Sequence, residues 1–363
     1  MKKLFYSGCF FLVVIILSTC FSPWRGEEGN LTIYWGKSEN SRLVELWDMG
    51  TFYYRIILKG PGGIIEEEIY GKPGASFSLI PGTWSVIVKG GEYISGASLT
   101  DPLRFNLRVM GIEQIEVKTG SKTSETVNMY TAYEAFNWGD IYSGIAAYQG
   151  SSNPSNREVI IFINNSKSFP AHTWPLPIDY PVILVAEKPV TITRQPGFSD
   201  EFFNVITSTG RLTLGLPGMI GTLTLDGGYS ANPLITISGS ASLIMNNGVT
   251  LQNNENNMGD GGGIKVQSGS FTMNGGSIIG NTALAQDLGA GSPNGTQGGG
   301  VYVDSTGAFT MNGGTISNNK AIGWDTAGNP SYNYCAGGGV YAFGAFNQRG
   351  GTISGNFPDN VWP

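Results

Sequence analysis

One phrase recurs in the last third of the chain, and it constrains the fold more than any other feature. Gly261-Gly262-Gly263-Ile264-Lys265-Val266 returns as Gly298-Gly299-Gly300-Val301-Tyr302-Val303 and again as Gly337-Gly338-Gly339-Val340-Tyr341-Ala342. A second phrase follows each: Phe271 to Ile278, Phe309 to Ile316 and the looser Phe346 to Ile353. Each copy then reaches an asparagine at one register, Asn281, Asn319 and Asn356, and a degenerate earlier copy, Leu243 to Thr250, ends in Asn253. Each unit holds short strands that alternate apolar-in and polar-out, as Val301 and Val303 do against Tyr302. A single unit cannot bury its own apolar residues. Stacking units at the ordinary ~4.8 Å strand separation places Ile264 over Val301 over Val340, and Phe271 over Phe309 over Phe346. Glycine-rich corners supply positive φ or close backbone approach. Asparagines repeated at one corner can form a side-chain ladder.

This pattern predicts a right-handed parallel β-helix. The phrases resemble the G-G-G-[IV]…F-T-M-N-G-G-x-I-S-G-N repeats of pectin-lyase-like β-helix surface lipoproteins of the spirochaete type. They are also similar to the GGA[IV] and FxxN motifs of chlamydial polymorphic outer-membrane proteins. The resemblance is strong over residues 240–363 and weaker over 140–239. Val159 to Ile163, Val182 to Val185, Val190 to Thr193, Leu212 to Leu214 and Leu223 to Leu225 continue the series as early rungs. The β-helix domain is accordingly set at residues 131–363, with about seven to nine coils. The stretch Phe169 to Pro181 is expected to close its N-terminal end, and Phe357 to Pro363 to blunt the other edge.

Before the repeats, residues 31–130 carry seven short runs with turn signals between them: Phe52–Leu58, Ile64–Ile69, Ser76–Ile80, Thr83–Lys89, Leu103–Met110, Ile112–Lys118 and Thr123–Tyr130. That spacing predicts an all-β sandwich. Leu79 to Val88 resembles the P-G-x-W/Y-x-V-x-V hairpin of prealbumin-like or carboxypeptidase-regulatory-like domains, which implies that Trp84 packs inward. The run Glu66-Glu67-Glu68 reads as a solvated strand face.

Residues 1–20 read as a lipoprotein signal peptide. Lys2 and Lys3 precede an apolar run, Leu4 to Leu17, too short to span a ~30 Å hydrocarbon core. Leu17-Ser18-Thr19-Cys20 resembles a bacterial lipobox, which implies acylation of Cys20 and attachment of the chain to a membrane by its lipid. Thr19 departs from the Gly, Ala or Ser usual at that position. An ordinary signal peptide cut nearby, or an uncleaved anchor, are the competing readings. Residues 21–30 form a linker. The expected location is the bacterial cell envelope, lipid-anchored at the outer membrane and either periplasmic or surface-exposed. Cleavage leaves Cys335 alone, so no intrachain disulfide is expected.

Composition narrows the partners. Glycine is 54 of 363 residues without a Gly-X-Y period, which excludes collagen, and 40% hydrophobic residues can fill a core, which excludes general disorder. A net charge of −6 with no basic block argues against nucleic acid. From Ala241 onward the acids are Glu255, Asp260, Asp287, Asp304, Asp325 and Asp359. Only Asp304 adjoins a repeat strand, and Gln267 and Phe343 stand at its equivalent positions, so no paired carboxyls for glycoside hydrolysis are in view. No metal and no cofactor is expected. His172 reads as a turn or capping residue.

Two insertions, Leu284 to Gln297 and Ile322 to Ala336, leave the stack at one corner and should lie side by side on a binding side. The second carries Trp324, Asp325, Tyr332 and Tyr334, while Tyr302 and Tyr341 stack on an outward stripe. Aromatic faces beside amides and hydroxyls suit sugars or protein partners; the competing reading is that they pack the loop against the body. The expectation is a monomeric, non-enzymatic, adhesin-like or carbohydrate-binding module that takes a glycan or an extracellular protein. The alternative is a polysaccharide lyase or glycoside hydrolase acting on an acidic glycan, using Asp200, Glu201, Arg211 and Asp226 in the upstream coils.

Overall fold

The computed structural model describes residues 28–36, 49–72, 74–94, 105–149, 158–164, 169–171, 175–230, 232–286 and 294–362. The signal peptide, Cys20 and His172 lie outside the described residues. The chain is all-β, with 59% strand and 4% helix. Among the described residues no helix is long and apolar enough to cross a membrane.

The N-terminal strands are β1 (Gly29–Gly36), β2 (Tyr53–Gly60), β3 (Gly63–Tyr70), β4 (Gly74–Leu79), β5 (Gly82–Tyr93), β6 (Phe105–Val117), β7 (Lys122–Asn128) and β8 (Tyr130–Ala135). β4, β1 and β7 form one sheet, and β3, β2, β5 and β6 form an antiparallel array. Both contribute to one core: Leu31, Ile33 and Trp35 of β1 pack with Tyr54, Ile56, Trp84 and Val86. Trp84 turns inward as expected, and its indole N–H donates to Ile80 O at 2.8 Å.

Two boundaries differ from the sequence reading. The linker of residues 21–30 ends earlier, because β1 begins at Gly29 and fills a sheet position that the run analysis lacked. The runs expected at Leu103–Met110 and Ile112–Lys118 are not two strands: their residues Phe105 to Val117 form the single strand β6, and Leu103 lies outside the described residues. Gly111 between them is a crossing point rather than a turn: a Cβ there would sit 2.5 Å from Asn128 O and 2.6 Å from Val127.

Most of the remaining strands stack in three parallel columns, with Thr282–Leu284, Lys320–Trp324 and Pro330–Ser331 branching off the third. The first runs from Val159–Ile163 through Pro181–Ala186, Arg211–Leu214 and Ser242–Met245 to the Phe271, Phe309 and Phe346 segments. The second runs from Leu176–Ile178 through Phe203–Val205 and Ile235–Ile237 to the Ile264, Val301, Val340 and Val361 segments. The third runs from Phe169–Ala171 through Val190–Arg194, Leu223–Ser230 and Val249–Asn256 to the Ile278, Ile316 and Ile353 segments. The repeats pair in the register their sequences predict. Phe271 and Phe309 stack at 4.6 Å between ring centroids and Phe309 and Phe346 at 5.0 Å, the first two buried in one shared core and the half-buried Phe346 packed against it.

The glycine triplets follow from this packing. Gly261, Gly298 and Gly337 open each triplet with φ of 80°, 69° and 60°, a left-handed conformation that side chains with a Cβ resist. The second glycine meets backbone on both sides: a Cβ on Gly299 would lie 2.3 Å from Lys320 O and 2.5 Å from Gly338 O.

An asparagine ladder runs down one corner. The main-chain N–H of Asn281 donates to Asn319 Oδ1 at 2.9 Å, and that of Asn319 to Asn356 Oδ1 at 2.9 Å. Asn360 closes the end by accepting from Asn356 at 3.2 Å. The upstream member is Asn254, whose N–H donates to Asn281 Oδ1 at 3.1 Å, and not Asn253. The reason is register. Glu255 pairs with Thr282, so Asn254 stands over Asn281, while Asn253 takes the left-handed turn position (φ 55°) that Gly280 and Asn318 occupy in the next units. Asn253 is exposed and bonds Asp226 instead. Above Asn254 the register partner is Gly228, and its neighbour Gly227 packs so closely that a Cβ there would lie 2.4 Å from Asn254 Oδ1. The buried Arg194 guanidinium donates to Gly227 O at 2.8 Å and Asn254 Oδ1 at 3.0 Å, and so completes the ladder where the asparagines stop. A second ladder joins Asn246, Asn274 and Asn312 at 3.0 and 2.9 Å.

The core's N-terminal end is covered by a helix that the sequence reading lacked, α1 (Trp138–Gln149). Asn137 caps it: its Oδ1 accepts the Asp140 N–H at 3.1 Å, while the Asp140 carboxylate accepts the Phe136 N–H at 2.9 Å. Trp138 packs on Phe202 and Phe203 at 5.9 and 5.4 Å. Phe169–Ala171 and Leu176–Ile178, expected to close this end, are strands of the columns themselves. The N-terminal array and the columns then meet through a third apolar cluster. Ile57, Ile87 and Met110 pack on Ile160, Phe162, Ile183 and Val185, so the first strands of the stack are buried on both faces. At this seam Lys89 pairs with Glu187 and lies 4.0 Å over the Phe162 ring.

Candidate functional site

Outward positions of the second column form one register row: Asn204, Thr236, Lys265, Tyr302, Tyr341 and Trp362. Strand periodicity puts every member on the same side, because the neighbours of each point into the core. Tyr302 and Tyr341 stack as expected, with parallel rings 5.6 Å apart. The Lys265 ammonium lies 5.5 Å from the Tyr302 centroid on that ring's other side. Both faces of Tyr302 are therefore occupied. The row offers solvent an ammonium, hydroxyls and ring edges rather than open aromatic faces at this point.

At its upstream end the row enters a groove of about 260 Å³. Glu201 and Asp260 line it together with Asn204, Asn256, Lys265 and Gln267. Register places Glu201 level with Pro233 and Gly262, so the level that carries Asp260, two residues before Gly262, lies two strand steps down the stack, roughly 10 Å by ordinary strand separation. Burial pushes the Glu201 carboxyl up, and Asp200 adds to the rise against Arg194. Asp260 is held by its surroundings: Oδ1 accepts the Thr296 hydroxyl at 3.1 Å and the Gln297 N–H at 2.9 Å. Burial pushes the Tyr302 phenol up to about 12, with the charges of Asp260 and Asp304 adding to the effect. Asp260 thus ties the root of the first insertion to the row.

The insertion roots lie side by side as expected. Asn294 and Trp324 exchange main-chain hydrogen bonds at 2.7 and 3.1 Å, and Gln297 bridges Ala336. Residues 287–293 of the first insertion lie outside the described residues. Trp324 is half-buried, and its indole N–H donates to Ala285 O at 2.7 Å, so it fastens the two insertions together. Asp325 holds its own turn by accepting the N–H groups of Ala327 and Asn329 at 2.8 and 2.9 Å, and the Asn329 N–H keeps its carboxyl low. Tyr332 leans on Phe357 at 6.0 Å, and Tyr334 is exposed.

Three aromatics outside the sequence-derived set complete the picture. Phe343 is 69% exposed, Phe357 55% and Trp362 49%. With Tyr332 and Tyr334 they gather exposed aromatic surface on the last two levels of the stack. Phe343 follows the strand Val340–Ala342 directly, in the bend that leads to the next strand. Glu201, grouped from the sequence with Asp200, Arg211 and Asp226, lines the groove with Asp260 instead, while Arg211 pairs with Glu158 and Asp226 accepts from Gln252. No family model, curated protein or solved structure matches the chain.

Proposed function

We propose that this chain is a lipid-anchored protein of a bacterial envelope, in which an N-terminal β-sandwich carries a right-handed parallel β-helix of the pectin-lyase-like surface-lipoprotein kind, and that its distal levels bind glycan without turning it over. The leader from Lys2 to Cys20 supports the address. The in-register parallel columns and the phenylalanine stack support the architecture. One observation carries the binding reading: Tyr332, Tyr334, Phe343, Phe357 and Trp362, all exposed, belong to the last part of the stack, where the outward row ends in the Tyr341 hydroxyl and the Trp362 ring. Exposed aromatic surface next to hydrogen-bonding groups is the chemistry that sugars and adhesive protein contacts use.

A glycan array probed with the full mature chain and with Phe343→Ser/Trp362→Ser tests this. Binding that falls by at least about tenfold, the loss of roughly 1.4 kcal/mol, supports the site. Unchanged binding removes it. Labelled fatty acid incorporated by the wild type and not by Cys20→Ser tests the anchor.

A further inference from the structure

We infer that the ligand is a linear, uncharged glycan that lies lengthwise along the outward row, from the groove at Glu201 and Asp260 to the exposed aromatics at Trp362. This rests on the glycan reading above and adds the ligand's shape and charge. The shape follows from register. Asn204, Thr236, Lys265, Tyr302, Tyr341 and Trp362 succeed one another one strand apart, a straight track of roughly 24 Å. Apart from the buried Thr236, every step of it offers a hydrogen-bonding group or, at its end, an exposed ring. The groove alone, at about 260 Å³, is smaller than a usual small-molecule pocket, so a ligand anchored in it gains its remaining contacts along the track.

The charge follows from what faces the ligand. Two carboxyl groups, Glu201 and Asp260, line the groove against one cation, Lys265, whose ammonium is turned toward the Tyr302 ring. Arg194, whose charge acts on Glu201, is committed to Asp200 O, Gly227 O and Asn254 Oδ1. Carboxylates accept hydrogen bonds from sugar hydroxyls and repel sugar carboxylates. The whole chain, at −6, adds to that repulsion.

Calorimetric titration of the mature chain with cello-, laminari-, manno- and xylo-oligosaccharides, from disaccharide to octasaccharide, and with oligogalacturonates of the same lengths, tests both parts. The expected result is one neutral series whose affinity climbs by about twofold to tenfold per added unit and levels off near five or six units. Oligogalacturonates should bind at least about tenfold more weakly, and Glu201→Gln/Asp260→Asn, which keeps side-chain shape, should narrow that gap. Trp362→Ser should bring the plateau in by about one unit. Binding that is independent of length, or tighter for oligogalacturonates, overturns this inference and leaves the glycan reading standing. No binding in any series overturns both.

Discussion

The two halves of the molecule build their cores by opposite routes. In the N-terminal array each large side chain is used once: Trp35, Tyr54 and Trp84 meet neighbours that have no copy elsewhere in the chain. In the columns the same residue type covers itself, Phe over Phe, Ile over Ile and Asn over Asn. A unique core is specified by shape, and a repeated one by register. In the stack an error in one unit is therefore felt by its two neighbours and hardly beyond.

Substitutions can break that contrast, beginning with the largest effect. Phe309→Ala removes the middle of the phenylalanine stack and should cost about 3–5 kcal/mol in denaturant unfolding. Phe346→Ala at the half-buried end should cost clearly less. Equal losses would mean that position along the stack does not matter. Next is the seam. Lys89→Met strips a partner from Glu187, whose side chain is 16% exposed, and should cost roughly 3 kcal/mol, while Lys89→Met/Glu187→Leu should recover most of it. A double variant as unstable as the single would show that the pair itself joins the two halves. Asn319→Ala leaves Ile278 O and the Asn281 N–H without partners and should cost about 2 kcal/mol.

Glu134, also at the seam, sharpens the contrast through pH. Burial raises its carboxyl above the ordinary 4.5. The sign follows: its contribution to stability is present below that ordinary value and is lost as pH rises through the raised one. Glu134→Gln should flatten this part of the pH–stability profile in mildly acidic buffer. The smallest effect belongs to Asn253→Gly, which relaxes a left-handed turn, gives up only an exposed, long contact to Asp226 and should fall within about 0.5 kcal/mol. A loss as large as that of Asn319→Ala would return Asn253 to the ladder.

What was legible in the sequence follows the same division. The Gly-Gly-Gly and Phe-Thr-Met-Asn phrases disclosed which residues lie over which, because identical neighbours leave only one register that matches them all. Where copies diverge, register slips by one, as at Asn253 and Asn254, two adjacent asparagines of which only pairing decides the inner one. Helix α1 occurs once and carries two glycines, so only the Asn137 to Asp140 capping pattern announced it. Gly111 imitated a turn because close strand crossing and chain reversal both call for glycine. The unbroken apolar runs Val159–Ile163 and Val182–Val185 read only as early rungs, although runs without alternation are the pattern of strands buried on both faces. The groove was hidden, since Glu201 and Asp260 are far apart in sequence and meet only through stacking. Trp324 looked like a binding residue by type, yet its indole N–H found a backbone carbonyl first.

Spin-label distances along the third column test the stacking most directly. Thr191, Thr224, Thr250, Ser277, Thr315 and Thr352 are successive register partners on its outer side. With the native cysteines replaced by serine, the backbone separations underlying the label pairs should be about 19 Å for Thr191 with Thr315 and about 24 Å for Thr191 with Thr352. The mean distance should thus lengthen by one strand step between the two pairs. Equal distances, or a separation that shrinks on moving to Thr352, would contradict the stack.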